Sequence, residues 1–459
     1  MLHVTRSGIL YFSFSAGLVL LGVPGSAAGN APAAVSADHP LAIPATDEGL
    51  PGAGPIRRYE WFEKLWLERR TAWAEHLEED QGAVVFLGDS ITQGWESRLA
   101  AAFPGVRVAG RGISGDTTRG VLIRLEEDVL AVNPAAVVLL IGTNDLDEGA
   151  TPEIIAGNLK LIVEALETHD PRMPVVLCQV FPSSPEKNRP PEQIQAVNAL
   201  YLAAVKGDPR VTYLETWPLF AGEDGNAKPE EFPDLLHPND LGYAKWEAAV
   251  RPILATLGFS VSEPFVPEEG FQSLFNGHDL TGWGYRPTSE EDKKAARSWQ
   301  ASDPDAADWP FVTERVDFDG LTRSPDGRFA AIGGRLVVTT PPEYRKIQQL
   351  WTTREFPENF ILKLEFRATP NADSGIYVRG PQLQCRDYAL AGPYRDLERY
   401  RPQDWNEIVV TVKDGKAVAI CNGEVLEVGM ELPASGPIGL EGDRGQMEYR
   451  RIRIKALSR

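Results

Sequence analysis

Residues 83–94 read Ala-Val-Val-Phe-Leu-Gly-Asp-Ser-Ile-Thr-Gln-Gly. Five apolar residues run without a break, and a glycine, an acid and a hydroxyl follow. A helical pattern comes next, so the segment predicts a buried strand that hands Ser90 to the start of a helix. Open α/β sheets hold their ligand sites at that carboxyl edge. A serine in such a place is commonly only a helix cap, so its meaning depends on what surrounds it.

The same rhythm extends on both sides. Apolar residues recur at helical spacing from Tyr59 to Leu77, with Trp61, Trp66 and Trp73 among them. Short apolar runs at 83–87, 106–109, 135–141, 175–180 and 211–214 alternate with helical stretches at 120–130, 154–168 and 191–206. A last helix spans 241–257. This βαβα order predicts a parallel sheet covered on both faces by helices. From Val261 to Glu269 prolines and acids mark a linker, and the texture then changes. Alternating runs at 335–339, 360–368, 375–378, 407–413, 417–421, 436–441 and 447–455 are punctuated by Gly, Pro and Asp. They predict an all-β sandwich or jelly roll, with 287–329 as a long irregular insertion.

The whole chain has 459 residues, enough for about two to three domains. Its formal charge is −19. The excess acid is dispersed and argues against nucleic-acid partners, which need a basic footprint. The N-terminus carries His3 and Arg6, an apolar stretch from Ile9 to Val23, then Pro24, Gly25 and the small residues Ser26, Ala27 and Ala28. That is the pattern of a secretory signal over residues 1–28. It predicts an exported protein, periplasmic or extracellular, with no transmembrane domain in the mature form. Residues 29–54, rich in Ala, Pro and Gly, read as a flexible leader. Only Cys178, Cys385 and Cys421 are present, so there is no disulfide scaffold. Export would permit a Cys385–Cys421 bridge.

Near the end of the first domain, Asp234-Leu-Leu-His237-Pro238 sets a carboxylate three residues before a histidine. A serine hydroxyl needs a base beside it to attack at neutral pH. An imidazole suits that task, and a carboxylate on its other nitrogen fixes the tautomer. No second histidine lies nearby to complete a zinc site. Gly142-Thr-Asn144-Asp145 and Arg111-Gly-Ile-Ser-Gly115-Asp116 fall on the same sheet edge as Ser90. The N–H groups of Ser90 and Gly115 and the amide of Asn144 are candidate oxyanion donors. Gly110-x-Gly112-x-x-Gly115 also fits a dinucleotide fingerprint. It follows the second strand, however, and the acids downstream, Glu126 and Glu127, fall in a helical pattern. Close backbone approach to an acyl group explains those glycines better.

The segments at Gly88-Asp-Ser90, Ser114-Gly-Asp-Thr117, Gly142-Thr-Asn-Asp145 and Asp234-x-x-His237-Pro238 resemble, in order and spacing, the four blocks of the SGNH (GDSL) hydrolases. Gly-Asp-Ser-Ile-Thr-Gln-Gly and Gly-Ile-Ser-Gly-Asp-Thr-Thr most resemble the platelet-activating-factor acetylhydrolase-like branch. The resemblance runs from about Val84 to Val250. It implies an α/β three-layer sandwich (SGNH, flavodoxin-like) over 55–258 and a serine esterase that needs no cofactor. It also implies roles: Ser90 as nucleophile, His237 as base, Asp234 as its partner, and Ser90, Gly115 and Asn144 as the oxyanion hole. Gly110 stands where that branch commonly has Asn.

Beyond the linker at 259–269, residues 270–459 resemble the 3-keto-disaccharide hydrolase (DUF1080) domains. The resemblance rests on Gly270-Phe-Gln-Ser-Leu-Phe-Asn-Gly277, Asp279-Leu-Thr-Gly-Trp283, Asp373-Ser-Gly-Ile-Tyr-Val-Arg379 and Gly436-Pro-Ile-Gly-Leu440. It implies a concanavalin-like β-sandwich (jelly roll) tied to carbohydrate. Gln382, Glu441 and Arg451 depart from the family, where Glu, Gln and Asn are common, which weakens the case for catalysis there. Glu365, Arg379, Gln384 and Asp387 are its candidate sugar-site residues, and its cofactor stays open. Trp283 and Trp405 can stack on sugar or serve the core and rim. The expected substrate is an acylated, most simply acetylated, carbohydrate. A lipid acyl hydrolase, or a keto-sugar lyase or carbohydrate binder led by the second domain, are the rivals. Oligomeric state leaves no mark on the sequence.

Overall fold

A computed structural model describes residues 39–259, 265–302 and 306–457. The expected signal segment and part of the linker lie outside them. In the first domain, strands β1 (Val84–Gly88), β2 (Val108–Gly112), β3 (Ala136–Leu140), β4 (Val175–Cys178) and β5 (Val211–Leu214) form one parallel sheet in the order β2-β1-β3-β4-β5. Helices α1 (Glu60–Glu75), α2 (Ser90–Ala102), α3 (Thr118–Asp128), α4 (Thr143–Asp147), α5 (Pro152–His169), α6 (Pro191–Val205), α7 (Trp217–Phe220) and α8 (Asp240–Thr256) surround it. Successive strand residues point to opposite faces. Val85, Leu87, Val137, Leu139 and Leu177 therefore pack under α3, α5 and α6. Val84, Phe86, Val138 and Val176 pack under α2 and α8, around Trp95 and Trp246. This is the three-layer architecture the alternating pattern predicts.

The supposed leader is ordered from residue 39 onward. Ile43 is buried with Phe62, Trp66, Trp73 and Ile113. Leu41 O accepts from Trp66 Nε1 and Arg70, and Pro51 O and Gly54 O accept from Arg119. Residues 39–54 are a strap, not a flexible tail. Its backbone groups are satisfied by side chains of the domain it crosses.

The second domain is built from antiparallel strands β6 (Gln272–Ser273), β7 (Trp283–Tyr285), β8 (Val316–Asp317), β9 (Phe329–Ile332), β10 (Arg335–Val338), β11 (Arg345–Thr352), β12 (Phe360–Ala368), β13 (Asp373–Val378), β14 (Gln382–Arg386), β15 (Asn406–Lys413), β16 (Lys416–Cys421), β17 (Glu424–Glu431), β18 (Ile438–Arg444) and β19 (Met447–Ala456). One sheet runs β17-β16-β15-β12-β19-β10-β9, with β6 paired to β19, and the other runs β14-β13-β18-β11-β7-β8. Their inner faces share one core containing Trp283, Phe366, Ile376, Leu440 and Tyr449. Within the expected irregular insertion lies a helix, α9 (Glu290–Ser302). Ser289 caps it, accepting from Asp292 N–H at 3.0 Å and donating to the Asp292 carboxylate at 2.7 Å. The hydroxyl thus satisfies one free N–H at the start of the helix. The three cysteines are buried and unbridged, so the Cys385–Cys421 bridge that export would permit is not formed.

Candidate active site

Ser90 opens α2, but it does not cap it. Asp89 is the capping residue, its carboxylate accepting from Ile91 N–H at 2.9 Å. The Ser90 hydroxyl is thereby free for another partner. His237 Nε2 lies 2.9 Å from Ser90 Oγ, and His237 Nδ1 lies 2.7 Å from Asp234 Oδ2. Asp234 Oδ1 meanwhile accepts the N–H groups of His237 at 2.7 Å and Leu236 at 3.1 Å. The carboxylate thus binds both the ring and the turn that carries the ring. Burial works to raise the Asp234 carboxyl, but the His237 and Leu236 hydrogen bonds outweigh it and hold the group below its usual range.

The candidate oxyanion donors are framed by two cross-linked loops. Gly115 has φ +89°, a conformation that favours glycine. Asn144 Nδ2 donates to Asp116 O at 2.9 Å. Thr118 N–H and Oγ bond the Asp145 carboxylate, with Oγ at 2.5 Å. Arg189 then grips the second loop: its Nη2 donates to Asn144 Oδ1 and its Nε to Thr143 O, both at 3.0 Å. Sequence reading missed Arg189, because it is 45 residues from its partner and outside every block. Beneath these loops burial lifts Asp89 and Asp116 to about 6 and Asp145 to about 7.

The glycine-rich segment from Gly110 to Gly115, whose first two glycines lie in β2, is not a phosphate cradle. A Cβ on Gly112 would meet Gln93 N at 2.3 Å and Asp89 O at 2.7 Å, and one on Gly110 would meet the Glu96 side chain. These glycines let β2 press against α2, so their close approach is to the chain itself and not to an acyl group. Glu126 and Glu127 lie on α3.

The four residues expected to line a sugar site in the second domain do not come together. Glu365, between inward-facing Leu364 and Phe366, pairs with Arg450 and Arg451 outside one sheet. Gln384, between inward-facing Leu383 and Cys385, lies outside the other. Arg379 is buried, donating to Glu358 O and Pro433 O. Asp387 is buried and accepts from Asn371 N–H, Tyr400 and Gln403. The last two are structural ties. Trp283 is a core residue, and Trp405 carries the guanidinium groups of Arg367 and Arg450 against its ring.

Gln384 belongs instead to a polar row on its sheet's outer face. Its amide donates to Gln382 at 3.0 Å, Gln382 donates to Glu441 at 2.5 Å, and Tyr377 Oη donates to Glu441 at 2.7 Å. Gln382 reaches across Gly375, where a Cβ would strike its amide at 2.1 Å. Two of the three family departures, Gln382 and Glu441, are therefore direct partners. Burial raises the Glu441 carboxyl to about 7.

Residues 86–245 match the GDSL-like lipase/acylhydrolase family, and residues 270–455 match the 3-keto-alpha-glucoside-1,2-lyase-like domain. Among known proteins, platelet-activating factor acetylhydrolase IB subunit alpha1 of Pongo abelii is 32% identical over 195 residues, 42% of this chain and 84% of that one. The alpha2 subunit of Bos taurus is 27% identical over 210 residues, 45% and 86% of the two chains. A GDSL-like lipase structure from Bacteroides thetaiotaomicron is 29% identical, covering 42% of this chain and 97% of its own, with a TM-score of 0.37. The chain belongs to the GDSL-like lipase/acylhydrolase family and is a hydrolase of ester bonds, joined to a 3-keto-alpha-glucoside-1,2-lyase-like domain.

Proposed function

We propose that the protein is an exported serine esterase that removes short acyl groups, acetyl first among them, from carbohydrate. The observation that carries the chemistry is the continuous chain Ser90 Oγ, His237, Asp234, with contacts of 2.9 and 2.7 Å. Ser90 Oγ attacks the ester carbonyl while its proton passes to His237 Nε2. The new oxyanion is met by the N–H groups of Ser90 and Gly115 and by the Asn144 amide. Collapse breaks the ester C–O bond, and the sugar hydroxyl leaves with the proton from His237. Water then attacks the acyl-Ser90 ester with His237 as base, releasing the carboxylic acid. No step uses a cofactor.

The acetyl preference is supported by the acetylhydrolase relatives. The carbohydrate is supported by the 3-keto-glucoside lyase-like domain on the same chain, which in this reading binds or trims the glycan. Export is supported by the signal-like pattern of residues 1–28. Those same relatives favour a second reading, an acetylated lipid as substrate.

The test is hydrolysis of p-nitrophenyl esters from acetate to long chains, of acetylated glycans and of acetylated phospholipid, with Ser90→Ala alongside. Acetate and acetylated glycans are expected to be preferred, and Ser90→Ala to abolish turnover. Full activity in Ser90→Ala would overturn the chemistry; a phospholipid preference would overturn the substrate.

A further inference from the structure

Among the described residues, Tyr59 and Trp61 are the exposed aromatic side chains, at 50% and 53% of their full accessibility. They stand together, with ring planes 12° apart and centroids 6.3 Å apart. Adjacent exposed aromatics at one spot mark a contact surface. Their position says whose.

Trp61 packs on Gly115. A Cβ built on that glycine would meet Trp61 Cη2 at 2.8 Å and Arg57 Nη1 at 2.9 Å. On the other side the pair is tied to the loop that carries Asn144. Tyr59 Oη donates to the Glu148 carboxylate at 3.3 Å, and Arg57 bonds Glu148 and Asp147 at 2.6 Å each. Trp61 also sits edge-on to buried Phe62, at 5.6 Å and 76°, which fixes its tilt. Both oxyanion loops therefore hold this aromatic face at the rim of the site. An ester bound with its carbonyl between Gly115 and Asn144 lies beside that rim.

We propose that Tyr59 and Trp61 are the platform on which the sugar ring of the substrate lies, an inference that rests on the carbohydrate reading above. A pyranose has a flat C–H face that stacks on an aromatic ring and hydroxyls around its edge. The Glu148 carboxylate, held in place by buried Arg57, borders the rings with an acceptor for such hydroxyls. A long acyl chain gains most from a concave apolar channel that covers it on all sides, and a flat, half-exposed face with a charged border covers only one.

The test compares glucose pentaacetate with methyl acetate, which has no ring, in a pH-stat on the full-length protein. For Trp61→Ala the ratio of kcat/KM, sugar ester over methyl acetate, is expected to fall about 10-fold, chiefly through KM. Trp61→Phe is expected to recover most of it, and Tyr59→Ala to give a smaller fall. An unchanged ratio in Trp61→Ala, whether both activities drop or neither does, overturns the platform. If the wild-type protein itself shows no advantage for the sugar ester over methyl acetate, the carbohydrate reading fails and the platform with it.

Discussion

Replacing Asp234 by asparagine tests the site with the least change in shape. The carboxylate has two jobs, accepting the His237 and Leu236 N–H groups through Oδ1 and the His237 ring through Oδ2. In Asp234→Asn the two backbone donors hold the amide oxygen in the Oδ1 position. The amide NH2 then faces Nδ1, which must become an acceptor, and the ring proton moves to Nε2. An Nε2–H donates to Ser90 Oγ and cannot take its proton. In a buried triad this wrong tautomer costs about 10⁴ in kcat, or ~5.4 kcal/mol. Here the Asp234 and His237 side chains are 46% and 44% exposed, so water competes with the amide and part of the population keeps the productive tautomer. We therefore expect a loss of about 10³, or ~4 kcal/mol of barrier, in kcat/KM for p-nitrophenyl acetate, with Tm within about 2 °C of wild type because the turn keeps its acceptor. A loss below about 10-fold with that Tm preserved would refute the reasoning, since it would mean that His237 does not depend on Asp234 for its proton placement.

Asn144→Ala is expected to lower kcat by about 10²–10³ while KM moves little. Arg189→Lys, which loses the two-pronged hold on Thr143 O and Asn144 Oδ1, is expected to cost about 10-fold in kcat with KM unchanged; steady-state kinetics reads both. Thermal melts should show stability falling as pH rises from about 4 to 7. Burial raises Asp89, Asp116 and Asp387 to about 6 and Asp145 and Glu441 to about 7. The folded chain thus binds more protons than the unfolded one across that window, and the stabilisation present below the unfolded pKa is lost as pH passes the folded values. Tm at pH 8 is expected several degrees below Tm at pH 5, with a smaller gap in Asp145→Asn. Glu215→Ala removes the acceptor of Tyr344 and Asn371 between the domains and is expected to split one calorimetric transition into two.

What was legible in the sequence was whatever depended on near neighbours. The run at 211–214 is β5 to the residue, and α8 begins one residue before the predicted start, after the cap of Asn239. The Asp234–His237 pair was legible because its geometry is local, one turn long. The strap at 39–54 was not, because its partners, such as Asn158 and Arg119, lie far along the chain. Helix α9 escaped because it is mostly polar, lies in an irregular stretch and buries Ala296 alone; the cap at Ser289 was its one signal. The second-domain site was misread for the same reason. Asp387 and Arg379 look like ligand residues in a strand pattern, and only the folded chain reveals that loops close over them. Glu441 and Gln382 looked like two separate losses, and their contact across Gly375 is visible only once three strands are aligned.

The contacts between domains bear on how the esterase should be understood. In an open parallel sheet an edge strand exposes unpaired backbone groups and must be covered. Strand β5 is such an edge. The turn between β10 and β11 lies against it, with Tyr344 edge-on to Tyr213 at 6.5 Å and Pro342 O accepting from Gly207 N–H at 2.7 Å. Glu215, just past β5, has 12% of its side chain exposed and is held by Tyr344, Asn371 and Arg444, and desolvation raises its carboxyl. Gln446 and Arg335 reach Pro252 O and Ala255 O on α8, and Leu390 packs on the core beneath that helix. A β-sandwich joined only by a linker would need none of these. The partners Tyr344, Asn371 and Arg444 all come from the second domain, so the contacts that neutralise Glu215 exist only in the joined protein. These contacts hold the β-sandwich against the edge of the esterase sheet, so its own sheet face at Glu441 is carried at a set place relative to Ser90 instead of swinging on a tether.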